Sequence, residues 1–406
     1  MRFRTLDQWL AWQESLHPRA IDLGLERVRQ VAGRLGVGKF TIPVVTVAGT
    51  NGKGSCVAML DAILRAGGYR VGAFTSPHLI RYNERIRIDG REITDAGLID
   101  AFARIDAARG AVSLTFFEFN TLAALLAFQD AALDAVILEV GLGGRLDAVN
   151  IVDADVALLT SIGLDHCDWL GGTLEAIGRE KAGIFRAGHP AVLGSRQVPD
   201  SVREYARRIG APLREPDIDF ATGRGDLPRP ALPGAHQLEN AAAVLAVIEA
   251  LRERLPVTRE AIVAGLRNVE LPGRFQCVPG TPEWILDVAH NPDAAERLSQ
   301  TLATLPARGR TVAVVGILKD KDAPAIVAPL RAGVAEWIAV DLPGPRGLTG
   351  LQLREACGAA GDAHWSTAPS VAAACQRAQQ GAGEGDRVVV FGSFFTVGPA
   401  LEWLAR

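Results

Sequence analysis

Lys53 and Ser55 stand in a glycine-rich run, Gly49-Thr50-Asn51-Gly52-Lys53-Gly54-Ser55. Backbone amides in such a turn can point inward around phosphate oxygens, and a helix starting there adds partial positive charge. Lys53 is the type of residue that reaches β- and γ-phosphates, and the Ser55 hydroxyl can ligate Mg²⁺. The spacing departs from G-x-x-x-x-G-K-[ST]: Gly49 precedes Gly52 by only three residues, and Gly54 separates Lys53 from Ser55. A glycine turn used for packing alone is the competing reading. The flanks favour phosphate, because a β-branched run (Val44–Ala48) comes before the turn and a helical pattern (Cys56–Leu64) after it.

A second cluster closes another apolar run, Leu138-Glu139-Val140-Gly141-Leu142-Gly143-Gly144-Arg145. In open parallel sheets ligands bind beyond the carboxyl ends of strands. Glu139 there suits Mg²⁺, directly or through water, more than a simple ion pair with Arg145. Leu146 occupies the last position of G-x-G-x-x-G, which weakens a dinucleotide reading. Asp165-His166 ends a further strand, and His166 serves equally as a structural residue or beside the same metal. Lys181, in Arg179-Glu180-Lys181, reads from its neighbours as part of a solvated charge cluster. Asp287 and His290, in Asp287-Val288-Ala289-His290-Asn291-Pro292, suit ribose or phosphate contacts or plain turn chemistry. Lys319-Asp320-Lys321-Asp322 reads as a solvated turn.

The elements needed to position these residues form an α/β pattern. Predicted strands are Val44–Ala48, Val71–Thr75, Ala135–Val140, Val156–Ser161 and Ala191–Gly194. A later series covers Trp284–Val288, Thr311–Ile317, Glu336–Val340 and Arg387–Phe391. Their near-continuous hydrophobicity indicates strands buried on both faces of a parallel sheet. The expected fold is a doubly wound, P-loop-containing, ATPase-like domain (1–275), followed by a smaller Rossmann-like α/β domain (276–406). The proline-rich stretch Ala211–Gly234 reads as loop, Leu238–Leu255 as helix, and Met1–Leu16 as an amphipathic helix in which Trp9 and Trp12 pack.

The 406 residues, 48% apolar and 22% charged, fit a globular enzyme, and a net charge of −3 gives no footing for nucleic acid. No apolar run is long enough to span a bilayer. Five scattered cysteines without metal spacing fit a reducing, cytoplasmic setting. A P-loop switch or kinase without ligase chemistry is the rival class, and the second α/β region with Asp287 and His290 argues against it.

The motifs together resemble the folylpolyglutamate synthase/dihydrofolate synthase family of the Mur ligase superfamily. The resemblance runs through Asp22–Val28, the 49–55 loop, Thr75–Leu79, Phe116–Phe119, 138–150, 161–166, 180–185, 272–275, 287–292 and 391–394. It implies an ATP-dependent amide ligase that joins L-glutamate to dihydropteroate and extends reduced folates through an acyl phosphate. The implied enzyme is a cytoplasmic monomer using ATP, two Mg²⁺ sites and, as a further candidate, a monovalent cation. Ser55, Ser76, Glu139 and His166 match metal positions. Lys181 matches a lysine that becomes carbamylated, which reverses the reading from its neighbours. Thr50 to Ser55, Asn240, Arg274, Asp287 and His290 match nucleotide contacts. Asp22, Leu23, Gly24, Thr115, Phe116, Phe117, Glu118, Leu146, Asp147 and Ala148 match the pterin pocket, with Phe117 stacking on the ring and Asp147 bonding its polar edge.

Overall fold

The structure, a computed structural model, describes residues 2–222, 228–305, 308–358 and 364–406. It comprises two compact units. One holds Met1–His78, Tyr82–Ala231 and Gln237–Val269; the other holds Leu79–Arg81, Leu232–His236 and Glu270–Arg406.

The first unit carries strands β1 (Val44–Ala48), β2 (Val71–Phe74), β3 (Ile86–Ile88), β4 (Arg91–Glu92), β5 (Ala135–Glu139), β6 (Val156–Leu159), β7 (Ala191–Leu193) and β8 (Leu213–Arg214). They form one sheet in the order β4-β3-β2-β5-β1-β6-β7-β8. β2, β5, β1, β6, β7 and β8 are parallel, and the β3–β4 hairpin adds an antiparallel edge. β1 lies between β5 and β6, so the strand order reverses around it, and the crevice beyond its carboxyl end is where such sheets bind ligands. The phosphate-type loop leaves from that end. Val47 is in register with Glu139, which brings the carboxylate alongside the loop.

Helices of this unit are α1 (Leu6–Leu16), α2 (Glu26–Leu35), α3 (Lys53–Ala66), α4 (Asp95–Arg109), α5 (Phe116–Asp130), α6 (Cys167–Leu170), α7 (Leu174–Ala182), α8 (Asp200–Ile209), α9 (His236–Ala250) and α10 (Arg259–Asn268). α1 starts at a capping box made by Thr5 and Gln8, and buries Trp9 against Phe102 while Trp12 meets Phe119 edge-on. Met1 of the predicted N-terminal helix lies outside the described residues. α5 starts at a second capping box, Thr115 with Glu118, which sets Phe116 and Phe117 in its first turn.

The second unit has strands β9 (Gln276–Val278), β10 (Glu283–Asp287), β11 (Thr311–Val315), β12 (Glu336–Val340), β13 (Trp365–Ala368) and β14 (Arg387–Phe391). Their order is β13-β12-β11-β14-β10-β9, all parallel except β9. Alternate residues face separate cores. Ile285, Ala313, Val389 and Phe391 join one, and Trp284, Leu286, Val388 and Val390 join the other. This two-sided burial is why the strands read as continuous apolar runs.

Predicted and observed elements differ in places. The stretch read as loop, Ala211–Gly234, contains β8, paired parallel with β7; its residues 223–227 lie outside the described set. The helix expected over Leu238–Leu255 ends at Ala250 and gives way to turns. In the charged turn after β11, Asp320 pairs with Arg346 (2.8 Å) and Lys319 Nζ donates to the Pro345 carbonyl (3.0 Å) rather than facing water alone. Among the described residues, no helix is long and apolar enough to cross a membrane.

Candidate active site

The loop after β1 turns through Gly49 (φ 150°) and Gly52 (φ 89°) into α3. Both positions exclude a side chain by contact as well as by backbone angle. A Cβ on Gly49 would lie 1.8 Å from Thr160 Oγ1, and one on Gly52 would lie 2.8 Å from Asn240 Oδ1. The loop is fastened to the end of β6. Thr50 N donates to the Ser161 carbonyl (2.7 Å), Asn51 N donates to Ser161 Oγ (3.1 Å), and Thr160 Oγ1 donates to the Asn51 carbonyl (2.7 Å). Gly52 supplies no side-chain cap to α3. The first-turn amides of Lys53, Gly54 and Ser55 therefore form an electropositive end suited to an anion.

Two lysines converge on this loop. Lys53 Nζ donates to the carbonyls of Gly49 (3.0 Å) and Thr50 (3.2 Å), and Lys181 Nζ donates to the same Gly49 oxygen (3.0 Å). Lys181 is only 5% exposed, so the solvated reading of its charge cluster does not hold. Burial first, and then the charge of Lys53, push its ammonium from 10.5 down to about 7; Asp165 and Asp147 act the other way. Close backbone packing brings it there. A Cβ on Gly144 would lie 2.7 Å from the Glu180 carbonyl and 2.8 Å from that of Lys181. Arg145 pairs with Glu180 (2.8 Å), which disposes of the Glu139–Arg145 ion pair weighed above.

Glu139 is 4% exposed and accepts from the Ser76 amide (3.2 Å). Its field reaches the start of α3: the buried Cys56 thiol is pushed up, first by burial and then by Glu139. Ser55 is 3% exposed. His166 begins α6 with φ 52°; its amide donates to Asp165 Oδ1 (2.8 Å), and its Nε2 lies 3.9 Å from the same oxygen. Serine hydroxyls, one carboxylate and one imidazole fit a hard divalent cation that keeps other positions for phosphate oxygens and water. Among the described residues, no group of three or more His, Cys, Asp or Glu side chains is arranged around a metal position.

The pterin-type residues gather near α5. The Phe117 ring lies over the loop after β5, where a Cβ on Gly141 would be 2.5 Å from its Cζ, and it packs on Phe74 at 5.9 Å. Phe116 meets Tyr82 at 6.0 Å. Arg27 links the Asp22 carboxylate (2.6 Å) to Glu118 (3.2 Å), tying the half-buried Asp22–Gly24 segment to α5. Asp147 is 2% exposed and accepts from the amides of Leu142 (2.8 Å) and Val149 (2.9 Å). Burial raises its carboxyl to about 6 against these amides and Lys181. Leu146 is half-buried and Ala148 buried on either side of it.

In the second unit, Asp287 ends β10 and accepts from the amides of Phe275 (2.8 Å) and Ala289 (2.8 Å). Burial raises its pKa, opposed first by Arg274. The Arg274 guanidinium sits 5.1 Å over the Phe394 ring, and the His290 ring lies 6.1 Å from that ring. His290 Nδ1 donates to the Val288 carbonyl (2.8 Å), which orients the ring.

Residues 47–194 match the Mur ligase middle domain and 273–394 the glutamate ligase domain of Mur ligases. The dihydrofolate synthase/folylpolyglutamate synthase of Escherichia coli (strain K12) is 48% identical over 408 residues, covering 98% of this chain and 95% of that protein. The chain belongs to the dihydrofolate synthase/folylpolyglutamate synthase family. A solved structure of Escherichia coli FolC in complex with DHPP and ADP superposes with a TM-score of 0.93 at 47% identity, over 99% of this chain and 98% of that one. A bifunctional family enzyme with Mn, AMPPNP and L-glutamate bound superposes with a TM-score of 0.91 at 48% identity, over 99% and 98%.

Within this family frame, one residue near the loop escaped the sequence reading. Gln237 Nε2 donates to Ser55 Oγ (3.2 Å), and its Oε1 accepts from Asn240 Nδ2 (2.9 Å). Gln237 thus connects the metal-type hydroxyl to the residue beneath Gly52. Its spacing from Asn240 on one face of α9 was the available signal.

Proposed function

We propose that this family member catalyses ATP-dependent addition of L-glutamate to 7,8-dihydropteroate, forming dihydrofolate, and to reduced folates, lengthening the glutamate tail. The observation that carries the reading is the convergence of Lys53 and the buried Lys181 on the Gly49 carbonyl, at the open end of α3. A carboxylate is a poor electrophile. Transfer of the γ-phosphoryl group of ATP to it gives an acyl phosphate and ADP. The glutamate amine then attacks the acyl carbon, phosphate leaves, and the amine proton goes to solvent or a nearby base. Positioning and charge neutralisation dominate such chemistry.

Lys53 and the α3 amides bind and neutralise phosphate. A divalent cation held by Ser55, Ser76, Glu139 and His166 supplies Lewis-acid charge stabilisation when bound. Lys181, near neutrality at physiological pH, is able to add CO₂, releasing a proton and forming an N-carboxylate. The change replaces repulsion between Lys53 and Lys181 with attraction. Phe117 offers a face for the pterin ring. Asp147 serves first to shape the loop that borders it, and a bond to the pterin edge would use its remaining acceptor capacity. Residues 1–275 are assigned to ATP phosphate and pterin binding. Residues 276–406 are assigned to nucleotide contacts through Asp287 and His290 and to glutamate, with Arg274 also on the nucleotide. A second metal site, a monovalent cation and a cytoplasmic setting are kept as parts of this reading. Product analysis by mass, with dihydropteroate and with a reduced folate as separate substrates, tests it; failure to extend the folate would restrict the enzyme to the synthase activity.

A further inference from the structure

The turn that follows Lys181 is held by a side chain outside the reaction described above. α7 ends at Ala182, so the next carbonyls have no helical donors. Arg186 supplies them. Its Nη1 donates to the carbonyls of Gly183 (3.4 Å), Ile184 (3.1 Å) and Phe185 (3.2 Å). Its Nη2 donates to the Asn150 carbonyl (3.2 Å), Asn150 Oδ1 (2.9 Å) and the Val152 carbonyl (3.4 Å), and its Nε pairs with Asp153. Asn150 completes the connection: its Nδ2 donates to the carbonyls of Arg145 (3.0 Å) and Gly183 (3.1 Å).

We infer that Asn150 and Arg186 form a clamp that sets how far Lys181 reaches into the phosphate loop, making both positioning residues for ligation. The inference rests on the reading of Lys181 as an active-site residue. The loop after β5 packs closely on the last turn of α7 at Gly144, and on the turn that follows at Gly183, where a Cβ would lie 2.4 Å from Arg145 Cβ. Lys181 is five residues upstream of Arg186, and its Nζ meets the Gly49 carbonyl at 3.0 Å. A displacement of about 1 Å at such a site can cost about 10²-fold in rate. The planar, forked donors of arginine suit a set of carbonyls spread over two segments, whereas an ammonium is a compact point charge.

The test uses the full chain, with glutamate-dependent phosphate release from ATP and dihydropteroate as readout. Arg186→Met and Asn150→Ala should lower kcat about 10- to 100-fold with KM for ATP changed less than about threefold. Arg186→Lys, which keeps the charge, should not restore the rate. In a Lys181→Ala background, followed by its residual rate, Arg186→Met should add less than about threefold, because the residue it positions is gone. A multiplicative loss in the double variant, or a wild-type kcat in both Arg186→Met and Asn150→Ala, overturns the clamp. A fully active Lys181→Ala overturns the reading of Lys181 and the clamp with it, and is recognised in its own arm. Should Arg186→Met fail to fold, Asn150→Ala carries the same cycle.

Discussion

The side chains of Lys53 and Lys181, 128 positions apart in the sequence, donate to one carbonyl oxygen, that of Gly49, each at 3.0 Å. Two ammonium groups this close, one of them 5% exposed, disfavour both being charged. Burial and the charge of Lys53 account for the fall of Lys181 to about 7.

A pH dependence follows from this pair. Between about 7 and 10.5 the unfolded chain holds a proton on Lys181 that the folded chain has released, so the stability contributed by this group rises with pH across that window. Below about 7 the fold carries the whole cost of a buried ammonium. The glutamate-dependent rate should rise through an acid limb near pH 7 and respond to added bicarbonate. Lys181→Ala should be severely impaired and lack both effects. A rate profile taken with and without bicarbonate checks this, and wild-type activity in Lys181→Ala would remove carbamylation from the mechanism.

Lys53→Ala should lower kcat by about 10²- to 10³-fold, since it removes a donor aimed at transferring charge. Circular dichroism should be unchanged, because the bonds of this side chain to Gly49 and Thr50 are made to carbonyls of the loop. A near-normal turnover would contradict the phosphate role.

Gly144→Ala tests the packing that delivers Lys181. The added methyl would sit 2.7 Å and 2.8 Å from two backbone oxygens, which cannot rotate away. The expected results are a stability loss of about 1–3 kcal/mol in urea unfolding and a fall in kcat. An alanine variant with both quantities unchanged would mean that α7 is not held against this loop.

For Phe117→Ala, KM for dihydropteroate should rise up to about tenfold, the worth of an aromatic stacking contact, with KM for ATP little altered. Steady-state kinetics varying each substrate decides it. Equal increases for both would count against stacking.

Much of the frame was readable from the chain. Val44–Ala48, Glu336–Val340 and Arg387–Phe391 are strands with the predicted bounds, because two-sided burial leaves an uninterrupted apolar run. β4 and β8 were missed since Arg91-Glu92 and Leu213-Arg214 are too short and polar to carry a period. β9 pairs antiparallel at an edge, where one face suffices and Gln276-Cys277-Val278 gives little signal. The glycine loop was legible because few other structures need that spacing. Lys181 was not legible from its neighbours: Arg179 and Glu180 look solvated, and only its burial and its bond to the Gly49 carbonyl, 132 positions away, show that the third charge turns inward. Gln237 was missed because its three-residue spacing from Asn240 is common on helix faces and gains meaning only once Ser55 is placed beside it. Asp147 was read for its carboxylate alone, whereas its burial and the amides of Leu142 and Val149 give it a structural task in the loop as well.

The most direct measurement is phosphate release from ATP with Mg²⁺ and dihydropteroate, with and without L-glutamate, paired with mass detection of dihydrofolate. The account predicts release that depends on glutamate and equals the dihydrofolate formed. Release without that product, or release indifferent to glutamate, would contradict it.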